Sequence, residues 1–191
     1  MQDAVDVALK VNPKIALLQC NTNYTAKLEN FKYIQLNVLR AYREIYPDII
    51  LGLSDHTPGH ATVLGAVVLG ARIIEKHFTD NTNRVGPDHA FSMDTASWRE
   101  MVDRSKELEL SLGGDVKKVE DNERETVILQ RRSIRLKIGM QEGDILTKDS
   151  LTVLRPCPAD ALQPSEIDHV LGKQLKSQMK KGDYLRWSDI K

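Results

Sequence analysis

Two histidines stand at the ends of short apolar runs dense in Ile and Leu, His56 just past Ile49 to Leu53 and His77 at the close of Ala71 to Phe78. In parallel α/β architectures the working residues lie at the C-terminal ends of strands and in the loops that follow, because the helices return the chain to the opposite end. Here those positions are polar. Asn21, Thr22, Asn23 and Tyr24 follow a first run, Ile15 to Cys20. Ser54, Asp55, His56 and Thr57 follow the second, and Glu75, Lys76, His77 and Phe78 close the third. Strand side chains alternate, so Gly52, Ser54 and His56 share one face, as do Glu75 and His77, and Cys20, Thr22 and Tyr24. If these faces point inward, His56 and His77 converge. Two imidazoles with open positions left for water or substrate suit a divalent metal of the manganese, iron or zinc kind. Taken singly, each is as well read as a hydrogen-bonding core or loop residue, and both readings stand at this point.

A third loop, Asn83 to Ser92, holds a turn built on Gly86 and Pro87 that fixes Asp88 near the same end of the strands; an ordinary turn aspartate is the competing reading. Cys20 reads as buried filler and not as a nucleophile, since no helix start or basic group is poised to lower its pKa. Arg131 and Arg132 read as a solvated charge pair. Met140, Met179 and Trp187 read as core of a small domain.

The elements that must position these residues fall into two halves. Up to about Leu112, apolar runs alternate with helical patterns, the mark of parallel βα units, and their composition predicts strands buried on both faces. Helices are expected over Leu28 to Tyr46, Ala61 to Leu69 and Ala96 to Leu112, the last stopped by Gly113 and Gly114. Three parallel strands cannot close a barrel, so further strands upstream or a partner are expected to complete the first half. Asp115 to Arg132 is charged and poor in large apolar residues, which reads as a linker. In the remainder, Met140-Gln141-Glu142-Gly143-Asp144-Ile145-Leu146 returns as Met179-Lys180-Lys181-Gly182-Asp183-Tyr184-Leu185, each copy followed by a polar stretch with Asp149 or Asp189. Such a repeat predicts a small pseudo-symmetric β-rich domain with two turns built alike on Gly143 and Gly182. The expected division is therefore 1–114, a linker over 115–132, and 133–191.

Composition narrows the partners. In 191 residues, 27 basic side chains balance 27 acidic ones, so no net field draws the chain to nucleic acid or an anionic membrane, and a small polar ligand is expected. Cys20 and Cys157 have neither disulfide-framework nor zinc-finger spacing, which fits a reducing cytoplasm. No apolar run reaches membrane-spanning length.

The strings Leu17-Leu18-Gln19-Cys20 with Tyr24, Gly52-Leu53-Ser54-Asp55-His56-Thr57, Ile74-Glu75-Lys76-His77-Phe78-Thr79 and Gly86-Pro87-Asp88-His89-Ala90-Phe91-Ser92 resemble, in order and spacing, the N-acetylneuraminate (sialic acid) synthase family. Arg131-Arg132-Ser133, Gly143-Asp144 and Leu154-Arg155-Pro156 resemble that family's antifreeze-like (SAF, β-clip) domain, which is similar to type III antifreeze proteins. The resemblance implies an α/β fold made of the C-terminal three βα units of a TIM-like (β/α)8 barrel plus the SAF domain. It implies a transferase that condenses phosphoenolpyruvate with an open-chain N-acetylmannosamine-type sugar, giving a nine-carbon sialic acid and phosphate.

By the same resemblance, His56 and His77 hold Mn2+ or Mg2+, which acts as a Lewis acid on the sugar's aldehyde oxygen. Thr22, Tyr24 and Ser54 contact phosphoenolpyruvate. Asp88 binds the sugar and joins the two histidines as a catalytic residue. Arg155 reaches the sugar's N-acetyl group in a partner subunit, which implies a domain-swapped homodimer. Thr22, Thr25, Val85 and Cys157 depart from the family's usual residues, and the family's upstream strands, with their basic and acidic site residues, are expected to be missing. Gly86-Pro87-Asp88-His89 fits the sialic and legionaminic branch better than the pseudaminic one. A non-catalytic carbohydrate-binding or assembly module built on the SAF domain is the alternative.

Overall fold

Three short strands, β1 (Ala16–Cys20), β2 (Ile50–Asp55) and β3 (Ile73–Lys76), pair in parallel in the order β1-β2-β3 in the computed structural model, which describes residues 1–25 and 27–191. The register sets Cys20 beside Ser54, Ser54 beside Glu75 and Asp55 beside Lys76, so the polar ends of the strands lie level. Around them run α1 (Gln2–Val11), a 3-10 turn over Leu28–Tyr33, α2 (Val38–Ile45), α3 (Ala61–Val68) and α4 (Thr95–Leu112). Leu51 and Leu53 of β2 share one core with Leu39 of α2, Val63 and Ala66 of α3, and Met101 of α4. A smaller cluster of Val5, Tyr46 and Ile49 seats α1.

The expected burial on both strand faces is corrected. Leu51 and Leu53 are buried, but Ile50 and Ile73, of opposite parity, are 51% and 39% exposed, because the described helices cover one side of the sheet. Apolar composition reports that a strand belongs in a parallel sheet, and it does not report which layers are there to cover it. Gly52 belongs to the open face. A Cβ there would stand 2.5 Å from the Ile73 carbonyl oxygen and 2.8 Å from Leu18 Cγ, so only glycine lets the strands lie this close.

The expected helix over Leu28 to Tyr46 is two pieces. Gln35, at φ 54°, breaks the helical path between the 3-10 turn and α2, while Gln19 Nε2 donates to the Ile34 carbonyl at 3.0 Å. An interior hydrogen bond thus ties down the chain where periodicity alone reads as continuous. The helix expected over Ala96 to Leu112 starts one residue earlier, capped by Asp94, and ends at Gly113, whose φ is 53°.

The chain divides into two compact units, Met1–Asp115 and Val116–Lys191. The second contains a 3-10 turn at Asp121–Glu123, α5 (Arg124–Gln130), β4 (Ser133–Leu136) antiparallel to β5 (Leu151–Leu154), and the short α6 (Ile167–Val170). Part of the charged stretch expected as linker is therefore helical. The repeat forms a pseudo-symmetric pair: Met140 bridges Met179, Gly143 and Gly182 have φ of 84° and 91°, and Asp144 and Asp183 each accept from the backbone N–H three residues before, both at 2.7 Å. The copies also bond across each other, Gly143 N–H to the Leu175 carbonyl and Gly182 N–H to the Leu136 carbonyl, both at 2.8 Å. Met140 is buried and Met179 packs against the same core, as expected; Trp187 is 47% exposed, its indole N–H donating to Glu166, and does not belong to the core. Among the described residues no helix is long and apolar enough to cross a membrane.

Candidate active site

Three consecutive cross-strand pairs form at the tips of β2 and β3, and alternation sends them to opposite faces. Ser54 Oγ donates to Glu75 Oε2 at 2.6 Å on the open face. Asp55 and Lys76 pair on the covered face, Nζ to Oδ2 at 2.7 Å, with side chains 0% and 1% exposed. His56 and His77 return to the open side with ring centroids 5.1 Å apart.

The imidazoles sit in an aromatic cluster. The Tyr24 ring lies 4.2 Å from His56 and 5.7 Å from His77, and buried Phe91 lies 6.0 and 5.0 Å from the same two rings. The His56 Nδ1 lies 2.9 Å from the Asn21 carbonyl oxygen. A carbonyl can only accept, so Nδ1 carries the proton and Nε2 keeps a free lone pair. The Cys20 thiol, at 4.0 Å from the same nitrogen, is the weaker neighbour. Cys20 itself is exposed, which corrects its reading as buried filler; strand parity sets it on the open face. The His77 Nδ1 lies 3.6 Å from Asp88 Oδ2, too long for a direct hydrogen bond.

Asp88 is held by a folded-back loop. Met93 N–H donates to the His77 carbonyl and Thr79 N–H to the Met93 carbonyl, each at 2.9 Å, while the Ser92 hydroxyl donates to the Asp88 carbonyl at 2.6 Å. Thr79 Oγ1 and His89 Nδ1 are 2.7 Å apart, and a Cβ at Gly86 would meet the His89 ring at 2.7 Å, so the glycine admits that ring. At the loop's foot Arg84 donates to Asp80 at 2.8 Å and holds that carboxyl below the usual range. The first loop is pinned by Asn21 Nδ2 to the Tyr33 carbonyl at 3.2 Å and by Asn30 to the Thr25 hydroxyl at 2.7 Å. Thr22 is exposed on that loop, outside the aromatic cluster. Arg155, in the second unit, donates its Nε–H to the Gln130 carbonyl at 2.6 Å.

The His56 Nδ1 thus meets an oxygen acceptor, the outer-shell arrangement that leaves Nε2 of that ring available to a cation, while the His77 Nδ1 has the Asp88 carboxylate 3.6 Å away. Among the described residues no group of three or more His, Cys, Asp or Glu side chains gathers as a metal cage. The donor set fits a divalent cation that takes two imidazoles and completes its shell with oxygens from water or substrate.

Sequence reasoning missed three contributors. Phe91 stood out only as one letter of a longer string, Glu75 occupies the Ser54 hydroxyl, and the Asp55–Lys76 pair lies beneath both. The available signal was parity: an acid and a base each stand one residue before a histidine, and strand pairing sets them opposite one another.

A parallel α/β unit with paired imidazoles at adjacent strand tips, followed by a small two-fold β-rich domain, defines the class of protein. Residues 1–117 match the NeuB family and residues 131–191 match the SAF domain. The chain belongs to the NeuB family. It is 35% identical over 176 residues to the N,N'-diacetyllegionaminic acid synthase of Legionella pneumophila, covering 92% of this chain and 48% of that protein. It is 33% identical over 191 residues to the pseudaminic acid synthase of Helicobacter pylori, covering 100% and 54%. Among solved structures, the N-acetylneuraminic acid (sialic acid) synthetase of Leptospira borgpetersenii in complex with citrate is similar at a TM-score of 0.55 and 28% identity, covering 66% of this chain and 43% of that one. The chain spans about half the length of the curated relatives it matches.

Proposed function

We propose that this chain carries the metal-binding and part of the substrate-binding apparatus of a nonulosonic acid synthase. The reaction condenses phosphoenolpyruvate with an N-acetylmannosamine-type sugar to give a nine-carbon acid and phosphate. The observation that carries the reading is the His56–His77 pair, with ring centroids 5.1 Å apart, the His56 Nδ1 at 2.9 Å from the Asn21 carbonyl and the His77 Nδ1 at 3.6 Å from Asp88.

The reaction balances with water as third reactant: C3 of phosphoenolpyruvate bonds to the aldehyde carbon, water adds at C2, and the C2–O bond breaks as phosphate leaves. A divalent cation, Mn2+ or Mg2+, supplies Lewis acidity at the aldehyde oxygen when bound. The chain's own residues bind and orient. Hydroxyls of Thr22, Tyr24 and Ser54 donate to the carboxylate and phosphate, and Ser54 does so by leaving Glu75, its present acceptor. Asp88, 49% exposed and facing His77, accepts from a sugar hydroxyl. Phe91 and Tyr24 keep water from the imidazoles.

The wider reading is of the same kind. The sheet and helices of 1–114 correspond to the last three βα units of a TIM-like barrel, 115–132 links them to the SAF domain of 133–191, and Arg155 serves the N-acetyl group in a partner's site within a domain-swapped, cytoplasmic homodimer. The Gly86-Pro87-Asp88-His89 string favours a sialic or legionaminic substrate. The test is Mn2+ binding, followed by loss of the free-ion electron paramagnetic resonance signal. Wild-type protein is expected to bind saturably, and His56→Ala and His77→Ala each to weaken binding at least ~10-fold. Undiminished binding in both variants overturns the proposal. Sugar affinity indifferent to both substitutions would favour the non-catalytic module.

A further inference from the structure

The Asp55–Lys76 pair has no role in the proposed chemistry, faces away from the imidazoles, and is the most deeply buried charge pair among the described residues. Such a pair is weak evidence for stability, since similar-volume apolar residues hold a fold as well, and its best-attested use is to fix one geometry. Here that geometry is specific. Asp55 and Lys76 are register partners, and each stands one residue before a histidine. The carboxylate is fully engaged: Oδ2 receives Lys76 Nζ at 2.7 Å and Thr62 Oγ1 at 2.6 Å, and Oδ1 receives the Thr57 N–H at 3.2 Å and hydroxyl at 3.0 Å. Lys76 Nζ donates as well to the Thr57 carbonyl at 2.5 Å. One network therefore clamps the residues on both sides of His56, anchors them to α3 through Thr62, and ties them to the residue before His77.

We infer that Asp55 and Lys76 are positioning residues that set the separation and orientation of the His56 and His77 imidazoles. The β2–β3 ladder ends at Asp55 and Lys76; beyond it the bridge of Phe78 to Met93 holds the His77 backbone on its other side, and no β2–β3 pairing sets one ring against the other. The side-chain clamp takes over at the position where the ladder stops. The consequence for metal binding rests on the reading proposed above; the positional claim does not.

The test uses the whole chain, first without metal. The double variant Asp55→Asn/Lys76→Met removes both charges together and leaves none unpaired. It is expected to fold, as judged by wild-type-like amide spectra of α1 and of residues 116–191, yet to lose the nuclear Overhauser effects between the two imidazoles. With Co2+ as probe, its affinity is expected to fall roughly 10–100-fold with an altered d–d spectrum, the size of loss typical of an outer-shell change. Thr62→Val, which deletes one bond to Asp55 and strands no charge, serves if the double variant does not fold; it shifts both readouts the same way by a smaller amount. Inter-ring Overhauser effects that persist unchanged in the folded variants overturn the inference. Their disappearance from the variants, while wild-type protein itself ignores Co2+, upholds the positioning role and sinks the metal reading.

Discussion

Gly52 shows how a single missing atom can set the dimensions of a site. The strands on either side approach to where a methyl group would touch the Ile73 carbonyl, and that approach brings Ser54 within reach of Glu75 two positions on. Gly52→Ala is expected to cost about 1–3 kcal/mol by forcing the strands apart, read as a lowered Tm, and to weaken Mn2+ binding through the displaced tips. The histidine substitutions belong to the same scale but differ in kind, removing ligands without moving the strands apart; His56 is buried in the aromatic cluster, so His56→Ala is expected to lower Tm as well, and the more exposed His77→Ala to lower it less. Much of this site is legible in the sequence. Polar residues after apolar runs mark His56, His77, Ser54 and Tyr24, and parity brings the imidazoles together. What parity does not give is distance: that Asp88 approaches His77 only to 3.6 Å, or that Thr22 faces solvent, depends on loops whose course is set by longer-range bonds such as Asn21 to Tyr33 and Met93 to His77. Cys20 departs from its expected burial because its strand face, and not its thiol chemistry, decides its exposure.

At the level of elements, α4 carries the clearest pH dependence. The Asp94 side chain accepts from the Ser97 hydroxyl at 2.6 Å and the Ser97 N–H at 2.8 Å, and these bonds hold its carboxyl below the usual range. A carboxyl depressed in the folded state stabilises it fully above the ordinary carboxylate pKa, near 4, and loses that contribution as pH falls through the folded value. Amide exchange at Ser97 is therefore expected to accelerate as pH drops below about 4, after correction for intrinsic rates, and Asp94→Asn, which still caps but does not titrate, should flatten the dependence. The turns of the repeat offer a paired comparison. Gly143→Ala and Gly182→Ala each place a Cβ at positive φ with open space around it, so each should lose about 1 kcal/mol or more from backbone strain alone, and by similar amounts in chemical denaturation. The strands of the first unit are readable from their apolar runs and α2, α3 and α4 from helical spacing, whereas α1 (Gln2–Val11) is not among the helices expected from the sequence. Nor is the break at Gln35 readable, since a glutamine in left-handed conformation carries no sequence mark, and the helix at Arg124–Gln130 is hidden by its charge.

Across the whole molecule, the larger clusters of buried residues are separate in the two units, one centred on Leu39 and Leu53 beside the small cluster under α1, the other on Ile134, Leu136, Leu175 and Leu185. The sequence announces this partition through its change of texture, from alternating runs and helices to a duplicated turn. It does not announce how the duplicated halves are joined. Each half finds its hydrogen-bond partners in the other: Leu136 N–H goes to the Asp183 carbonyl, Leu175 N–H to the Asp144 carbonyl, Leu185 N–H to the Ile134 carbonyl, and Met140 exchanges two bonds with Met179. A domain so interlaced has no half-built form. During synthesis its leading portion has only the β4–β5 pair until the trailing portion has left the ribosome, and a protease that cuts ahead of Gly182 strips β4 of its bonds to Gly182, Asp183 and Leu185.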